Sequence, residues 1–220
     1  MSNEINRQVI MKTRPVGMPV LENFEIIESS LPEARHGEVL IKIIWLSLDP
    51  YMRGRMNTAK SYAASLNEGD VITGGAVGQI IKSNTPQYKE GDIVEGFTLG
   101  WQEYAIATPA TIRKINPALA PIQTAVGVLG MPAMTAFFGL LHVGKPIPGD
   151  TVVVSAASGA VGQLVGQIAK IAGCYVVGIA GGKEKCAFLT ESLNFDASID
   201  YKNEDIDKKL TEYCPDGINV

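Results

Sequence analysis

Two residue sets in this 220-residue chain have the types and spacing to do chemistry. The first is Ala156-x-x-Gly159-x-x-Gly162, an alanine-led relative of the glycine-rich turn that cradles a dinucleotide. A glycine at 159 lets a diphosphate approach the backbone, and a glycine at 162 lets a helix sit close to the preceding strand. The unpaired N–H groups at the helix start, from Ala160 and Val161 onward, then face the phosphates with the favourable end of the helix dipole. The second set is Ala180-Gly181-Gly182-Lys183-Glu184-Lys185, about twenty positions on, where an acidic residue would hold a ribose 2′-hydroxyl and signal NAD. Here the stretch is small and then basic. Gly182 leaves room for a 2′-phosphate, and Lys183 or Lys185 can neutralise it, which favours NADP(H). The competing reading of both lysines is a solvated helix start, and that of Glu184 is complementation of the helix dipole. Tyr201 follows the next strand and either lies against the adenosine phosphate or is a plain surface tyrosine.

The elements that must position these groups follow from periodicity. Thr151–Val154 is a β-branched run after a Pro-Gly-Asp turn, as in a strand buried on both faces. Val161, Leu164, Val165, Ile168, Ala169 and Ala172 then recur at helical spacing. The alternation continues with a strand at Cys174–Ile179, a helix at Lys183–Leu193, a strand at Ala197–Ile199, a helix at Asn203–Tyr213 and the opening of a fourth strand at Gly217–Val220. Parallel strands with right-handed crossovers are expected. This is the first half of a dinucleotide-binding sheet, and the sequence reads as cut in mid-strand. Such a piece is expected to bind the coenzyme weakly and to associate through an apolar strand edge.

Upstream the pattern is different. Phe24–Ser29, Glu38–Leu46, Val71–Lys82, Asp92–Phe97, Trp101–Ala107 and Thr111–Ile115 read as short strands separated by Gly, Pro, Asn and Asp turns, which predicts a small barrel or sandwich. Pro117–Pro121 is the expected joint, giving domains 1–121 and 122–220. Gln123–Val143 is apolar, broken by Gly130 and Pro132, and predicts two helical pieces. The fold class is therefore α/β plus β.

Composition narrows the function classes. A net charge of −4 gives no electrostatic basis for nucleic acid, and 46% hydrophobic with 19% charged residues suits a soluble globular chain. Neither a basic-then-apolar leader nor an apolar run of membrane-spanning length is present, which predicts a cytoplasmic protein without membrane partners. Cys174, Cys186 and Cys214 form no paired motif and fit reduced thiols.

Four further stretches carry a resemblance. Ser47-Leu48-Asp49-Pro50-Tyr51-Met52-Arg53-Gly54, Gly130-Met131-Pro132-Ala133-Met134-Thr135-Ala136-Phe137-Phe138-Gly139, Ala156–Gln163 and Gly181–Cys186 together resemble zinc-independent medium-chain dehydrogenase/reductases, in the NADP-dependent alkenal, prostaglandin and curcumin reductase branch. The resemblance covers essentially the whole chain, and Asp-Pro-Tyr-Met-Arg is its most specific mark. It implies a GroES-like β-barrel domain followed by the first half of a Rossmann domain, with NADPH reducing the C=C bond of enones and enals, and a homodimer at full length. The stretches where zinc-dependent relatives carry ligands are here Ser47–Pro50 and Gly74–Gly78, which offer no cysteine or histidine, so no metal is expected. Hydride addition to an enone leaves an enolate whose oxygen needs a hydrogen-bond donor and whose α-carbon needs a proton. Tyr51 is the first candidate for that donor and Tyr62 the second. Met131 and Thr135 match the piece that lines the nicotinamide in the family, and Arg53 either holds a phosphate or pairs with Asp49. The rival readings are a quinone reductase and a non-catalytic nucleotide-binding piece.

Overall fold

The computed structural model describes residues 5–220, and the chain divides after Val126 into two compact units. The first contains strands β1 (Ile5–Met11), β2 (Phe24–Ser30) and β3 (Val39–Leu46), then helix α1 (Tyr51–Arg55). Strands β4 (Ala76–Ser83), β5 (Ile93–Gly96), β6 (Tyr104–Ala107) and β7 (Ile112–Lys114) complete it. Five of them form an antiparallel sheet in the order β6-β3-β4-β5-β7, while β1 and β2 make a separate hairpin. The β3–β4 register shifts twice, between Leu40 and Ile41 and between Ile43 and Trp45. Such irregularities bend a sheet. Val39, Ile41, Ile80 and Val94 alternate inward to form the core.

Strand β1 was not among the strands read from the sequence. Its Arg7 and Gln8 break the apolar pattern, and beyond its hairpin with β2 its partners lie some sixty to a hundred residues away. Arg7 O accepts from Glu103 N–H, Val9 N–H donates to Trp101 O, and Ile72 N–H donates to Val9 O. The buried Asn6 side chain extends this ladder, accepting from Tyr104 N–H and donating to Tyr104 O, both at 2.9 Å. Conversely, the expected strand Val71–Lys82 is regular only from Ala76. Val71 makes a single bridge to Ile10, and Gly74 is crowded, since a Cβ there would stand 2.9 Å from Met52 Cε.

The second unit opens with α2 (Met131–Phe137), which widens into a π-helical stretch over Phe138–Gly144. Then come β8 (Thr151–Val154), α3 (Gly162–Ile171), β9 (Tyr175–Ala180), α4 (Lys183–Ala187), β10 (Ala197–Asp200) and α5 (Ile206–Tyr213). A π-helical stretch, Phe188–Ser192, extends α4. The sheet is parallel in the order β10-β9-β8. Along the free side of β8, Val153 N–H donates to Val220 O and Val220 N–H to Thr151 O, the alternation of a parallel pair. The expected fourth strand at Gly217–Val220 is thus represented by these bonds alone, and the sheet has three strands. Helix α5 starts later than expected because Asp205, whose side chain accepts from Lys208 N–H at 3.1 Å, caps it. Val152, Val154, Val176 and Leu189 form a core that Phe195 closes against Gly166 of α3, where a Cβ would fall 1.8 Å from the ring.

Candidate functional site

The β8–α3 turn is built for close backbone approach. Gly159 N–H donates to Ala156 O at 2.8 Å and Gln163 N–H to Gly159 O at 3.0 Å. Among the described residues the N–H groups of Ala160, Val161 and Gly162 have no acceptor. They are the orphan donors of a helix start. Gly162 is obligatory for a steric reason, as a Cβ there would lie 2.5 Å from Ala156 O and 2.8 Å from Ala157 Cα. Gly159 is looser, with only Ala156 O at 3.1 Å. Where the glycine fingerprint begins, Ala156 takes φ +47°, the left-handed region that glycine favours. The turn geometry has been kept without the glycine. Beside it, Val128, Pro132, Ala160, Gln163 and Gln167 line a cavity of about 290 Å³.

The tip of β9 gathers the other predicted residues of this unit. Gly182 has φ +102° and ψ 151°, a conformation essentially confined to glycine. Lys183 and Lys185 stand on the first turn of α4 with Glu184 between them, and neither lysine has a carboxylate partner among the described residues. The Tyr201 ring lies over Gly181, where a Cβ would stand 2.8 Å from ring carbons and from Oη. Tyr201 is thus part of the strand tip, and half its surface remains open.

One residue here escaped the sequence reading. Asp200, the last of β10 and 5% exposed, accepts Gly182 N–H at 2.7 Å, Lys202 N–H at 3.1 Å and Asn203 Nδ2 at 2.7 Å. The Asn203 amide and the Gly182 N–H hold its carboxyl below the usual carboxylate range, against the opposing effect of burial. The only sequence signal was an acid ending a strand immediately before Tyr201. Met131 and Thr135 sit one turn apart on α2, the Thr135 hydroxyl donating to Met131 O at 2.8 Å.

In the first unit, Tyr51 opens α1 and is partly buried. Burial, reinforced by the Asp49 carboxylate, pushes its phenol above the ordinary value of 10, with the Gly75 backbone and Arg55 pulling the other way. The Tyr62 phenol is near enough to add to that upward shift. Tyr62 itself is 88% exposed, on a loop whose end is held by Arg55 Nε donating to Ala64 O and by Leu66 N–H donating to Arg55 O. Ser47 N–H donates to Gly75 O at 2.8 Å, so the two segments that carry ligands in zinc-dependent relatives do meet. They meet without thiol or imidazole, and no group of three metal-ligating side chains occurs among the described residues. Arg53 makes no ion pair with Asp49 among the described residues. Its guanidinium donates to Gly17 O at 2.7 Å, Pro15 O at 3.3 Å and Asn57 Oδ1 at 2.6 Å, tying the 15–17 loop to α1. Backbone carbonyls without carboxylate competition capture it.

Residues 7–115 match a family model described as the N-terminal domain of oxidoreductase, and residues 160–220 one described as zinc-binding dehydrogenase. The chain is 45% identical over 215 residues to the NADPH-dependent curcumin reductase of Escherichia coli (strain K12), covering 98% of this chain and 62% of that protein. To the 2-alkenal reductase (NADP(+)-dependent) of Nicotiana tabacum it is 46% identical over 228 residues, covering 100% and 66%. A solved structure of CurA from Vibrio vulnificus in complex with NADPH superposes with a TM-score of 0.92 at 46% identity, over 96% of this chain and 63% of that one. The chain therefore spans a little under two thirds of these relatives. The curled antiparallel sheet, the parallel β10-β9-β8 sheet with its glycine turn, and matches at this level place the chain in the medium-chain dehydrogenase/reductase family.

Proposed function

We propose that the protein is an NADPH-dependent reductase of the C=C bond of α,β-unsaturated ketones and aldehydes. The observation that carries this is the strand tip of the second unit. Gly182 leaves open space, Gly181 is covered only by the Tyr201 ring, and Lys183 and Lys185, without carboxylate partners among the described residues, follow on the first turn of α4. Asp200, at the end of β10, is turned inward on the Gly182 and Lys202 N–H groups. The names of the relatives at 45–46% identity support the same coenzyme and substrate class.

A bound nicotinamide coenzyme supplies a hydride, and the remaining requirements fall on the chain. The free N–H groups of Ala160, Val161 and Gly162 would take the diphosphate, with Gly159 granting access. Lys183, Lys185 and the Tyr201 hydroxyl would take the 2′-phosphate. Met131 and Thr135 would lie by the nicotinamide. Reduction beside a carbonyl puts negative charge on the substrate oxygen, which a neutral donor must meet. Tyr51 suits this because its raised pKa keeps the phenol protonated throughout the neutral range. Tyr62, exposed and near it, would complete the substrate end.

The test is a paired substitution, Lys183→Glu with Lys185→Glu, in the whole protein assayed by NADPH and NADH oxidation with an enal. Two charge reversals beside a phosphate should lower the NADPH-over-NADH preference by on the order of 10²-fold. An unchanged preference overturns the coenzyme assignment. A wild-type protein that turns over quinones but no enone or enal overturns the substrate assignment.

A further inference from the structure

We infer that Asp200 is the positioning residue that gives the 2′-phosphate pocket its shape, by clamping both walls of it through one carboxylate. This rests on the NADPH reading above and goes beyond it, since both Asp200 oxygens are already bonded to donors of the chain.

One wall is the Gly181–Gly182 turn. Its backbone is held by the 2.7 Å bond from Gly182 N–H to Asp200 Oδ1, at a φ of +102° that a free chain would readily leave. The other wall is the turn that begins at Tyr201. There Lys202 N–H donates to the same Oδ1 and Asn203 Nδ2 to Oδ2, while Asp200 N–H donates to Glu204 Oε2 at 2.8 Å. Tyr201 adds a direct backbone tie, its N–H donating to Ala180 O at 3.1 Å. Because the Tyr201 ring rests on Gly181, the spacing between the walls is the distance from one Asp200 oxygen to two backbone amides. A carboxylate suits the position because the three groups bonded to its oxygens are all donors, and charge-assisted bonds in a buried setting are strong.

The clamp has a chemical consequence. The Gly182 N–H is consumed internally, so a 2′-phosphate cannot take that amide. Recognition must come from the Lys183 and Lys185 ammonium groups and the Tyr201 hydroxyl, and these act together only while both walls keep their spacing. Losing the clamp should therefore remove the contribution of the 2′-phosphate and spare the rest of adenosine binding.

The experiment compares 2′,5′-ADP with 5′-AMP by titration calorimetry on the intact chain, with folding checked by circular dichroism. Wild type should prefer 2′,5′-ADP. In Asp200→Ala that preference should fall on the order of tenfold, with 5′-AMP affinity within about twofold of wild type. Asp200→Asn should keep most of the preference, because its carbonyl can still accept both backbone N–H groups and the Asn203 amide can rotate to accept from the new donor. If Asp200→Ala fails to fold, Asn203→Ala, which removes only the Oδ2 partner on an exposed turn, should still lower the preference about threefold. A folded Asp200→Ala chain that keeps the wild-type preference, or loses both ligands equally, overturns the positioning role. If Asp200→Ala does not fold, an Asn203→Ala chain with wild-type preference does the same. A wild-type chain with no preference for 2′,5′-ADP overturns the NADPH reading itself, and this inference with it.

Discussion

The glycine turn permits a dissection of folding from binding with one substitution made three residues apart. In Gly162→Ala the new methyl meets Ala156 O at 2.5 Å, Ala157 Cα at 2.8 Å and Ala156 C at 3.1 Å. All three are backbone atoms of the turn that follows β8, so no side chain can rotate away and the start of α3 must lift from that turn. Overpacking of this kind costs about 1–3 kcal/mol. The helix propensity recovered at the first position of α3 is well below the ~1 kcal/mol of an interior site. The expected loss is therefore about 2 kcal/mol, or roughly 4–8 °C in Tm for a chain of this size. In Gly159→Ala the single close atom is Ala156 O at 3.1 Å, a contact that a few tenths of an ångström relieves. The reduced freedom of the unfolded chain offsets it by about 0.4–1 kcal/mol, so stability should stay within about 0.5 kcal/mol of wild type. Its methyl, however, stands on the exposed face of the turn where the free N–H groups point, and NADPH affinity should drop by on the order of tenfold. Urea unfolding followed by circular dichroism reads the first effect, and NADPH fluorescence titration the second. Equal stability of the two variants would refute the packing argument, and undiminished affinity in Gly159→Ala would refute the placement of the diphosphate.

Two other expectations follow from single groups. Tyr51→Phe should lower kcat with an enal by about 10²-fold, as loss of a positioned donor does, whereas Tyr62→Phe, on its exposed loop, should lower it less than tenfold. Steady-state kinetics at saturating NADPH measures both, and a full-rate Tyr51→Phe enzyme would remove that residue from the donor role. Asp92 is 5% exposed; burial would raise its pKa, but bonds from Lys114 and the Lys89 N–H outweigh this and hold it below the ordinary 3.8. A carboxyl lowered in the folded state adds stability above its unfolded value and loses it as pH falls through the folded one. Acid titration of unfolding free energy should therefore show a shallower decline below about pH 4 in Asp92→Asn than in wild type, and parallel curves would contradict the pairing.

How much of this was legible in the sequence depended on the range of the interactions. The β8–turn–α3 unit was readable because strand, glycines and helix are neighbours in the chain and each obeys a local rule. Strand β1 was not, because its own Arg7 and Gln8 conceal the alternation and, apart from its hairpin with β2, its bonds run to the distant Glu103, Trp101 and Ile72. The widening of α2 and α4 into π-helical stretches was invisible to a reading that knows only the 3.6-residue period. The carbonyl partners of Arg53 were not readable because a guanidinium finds backbone carbonyls as readily as anions, and the residues supplying them, Pro15 and Gly17, are separated from it by more than thirty positions. At the strand tip, the gathering of Lys183, Lys185 and Tyr201 follows from their places after β9 and β10. Asp200 was not recognisable, since an acid near a coenzyme pocket reads as a ribose ligand or as surface until its partners are seen to be backbone amides.

That distinction separates two demands that a dinucleotide site must meet at once. The diphosphate is common to both nicotinamide coenzymes, and the amides at the start of α3 are suited to it because backbone donors are fixed in place by the fold and survive most changes of side chain. The 2′-phosphate is the feature that differs, and a choice is best made by groups that can be altered without disturbing the turn. On the clamp proposed above, Asp200, which accepts the Gly182 N–H, would take the backbone out of the choice and leave it to lysine ammonium groups and a phenol. Coenzyme preference should then be adjustable at 183, 185 and 201 with little change in stability. Any substitution at 200 should instead act on preference through the shape of the tip.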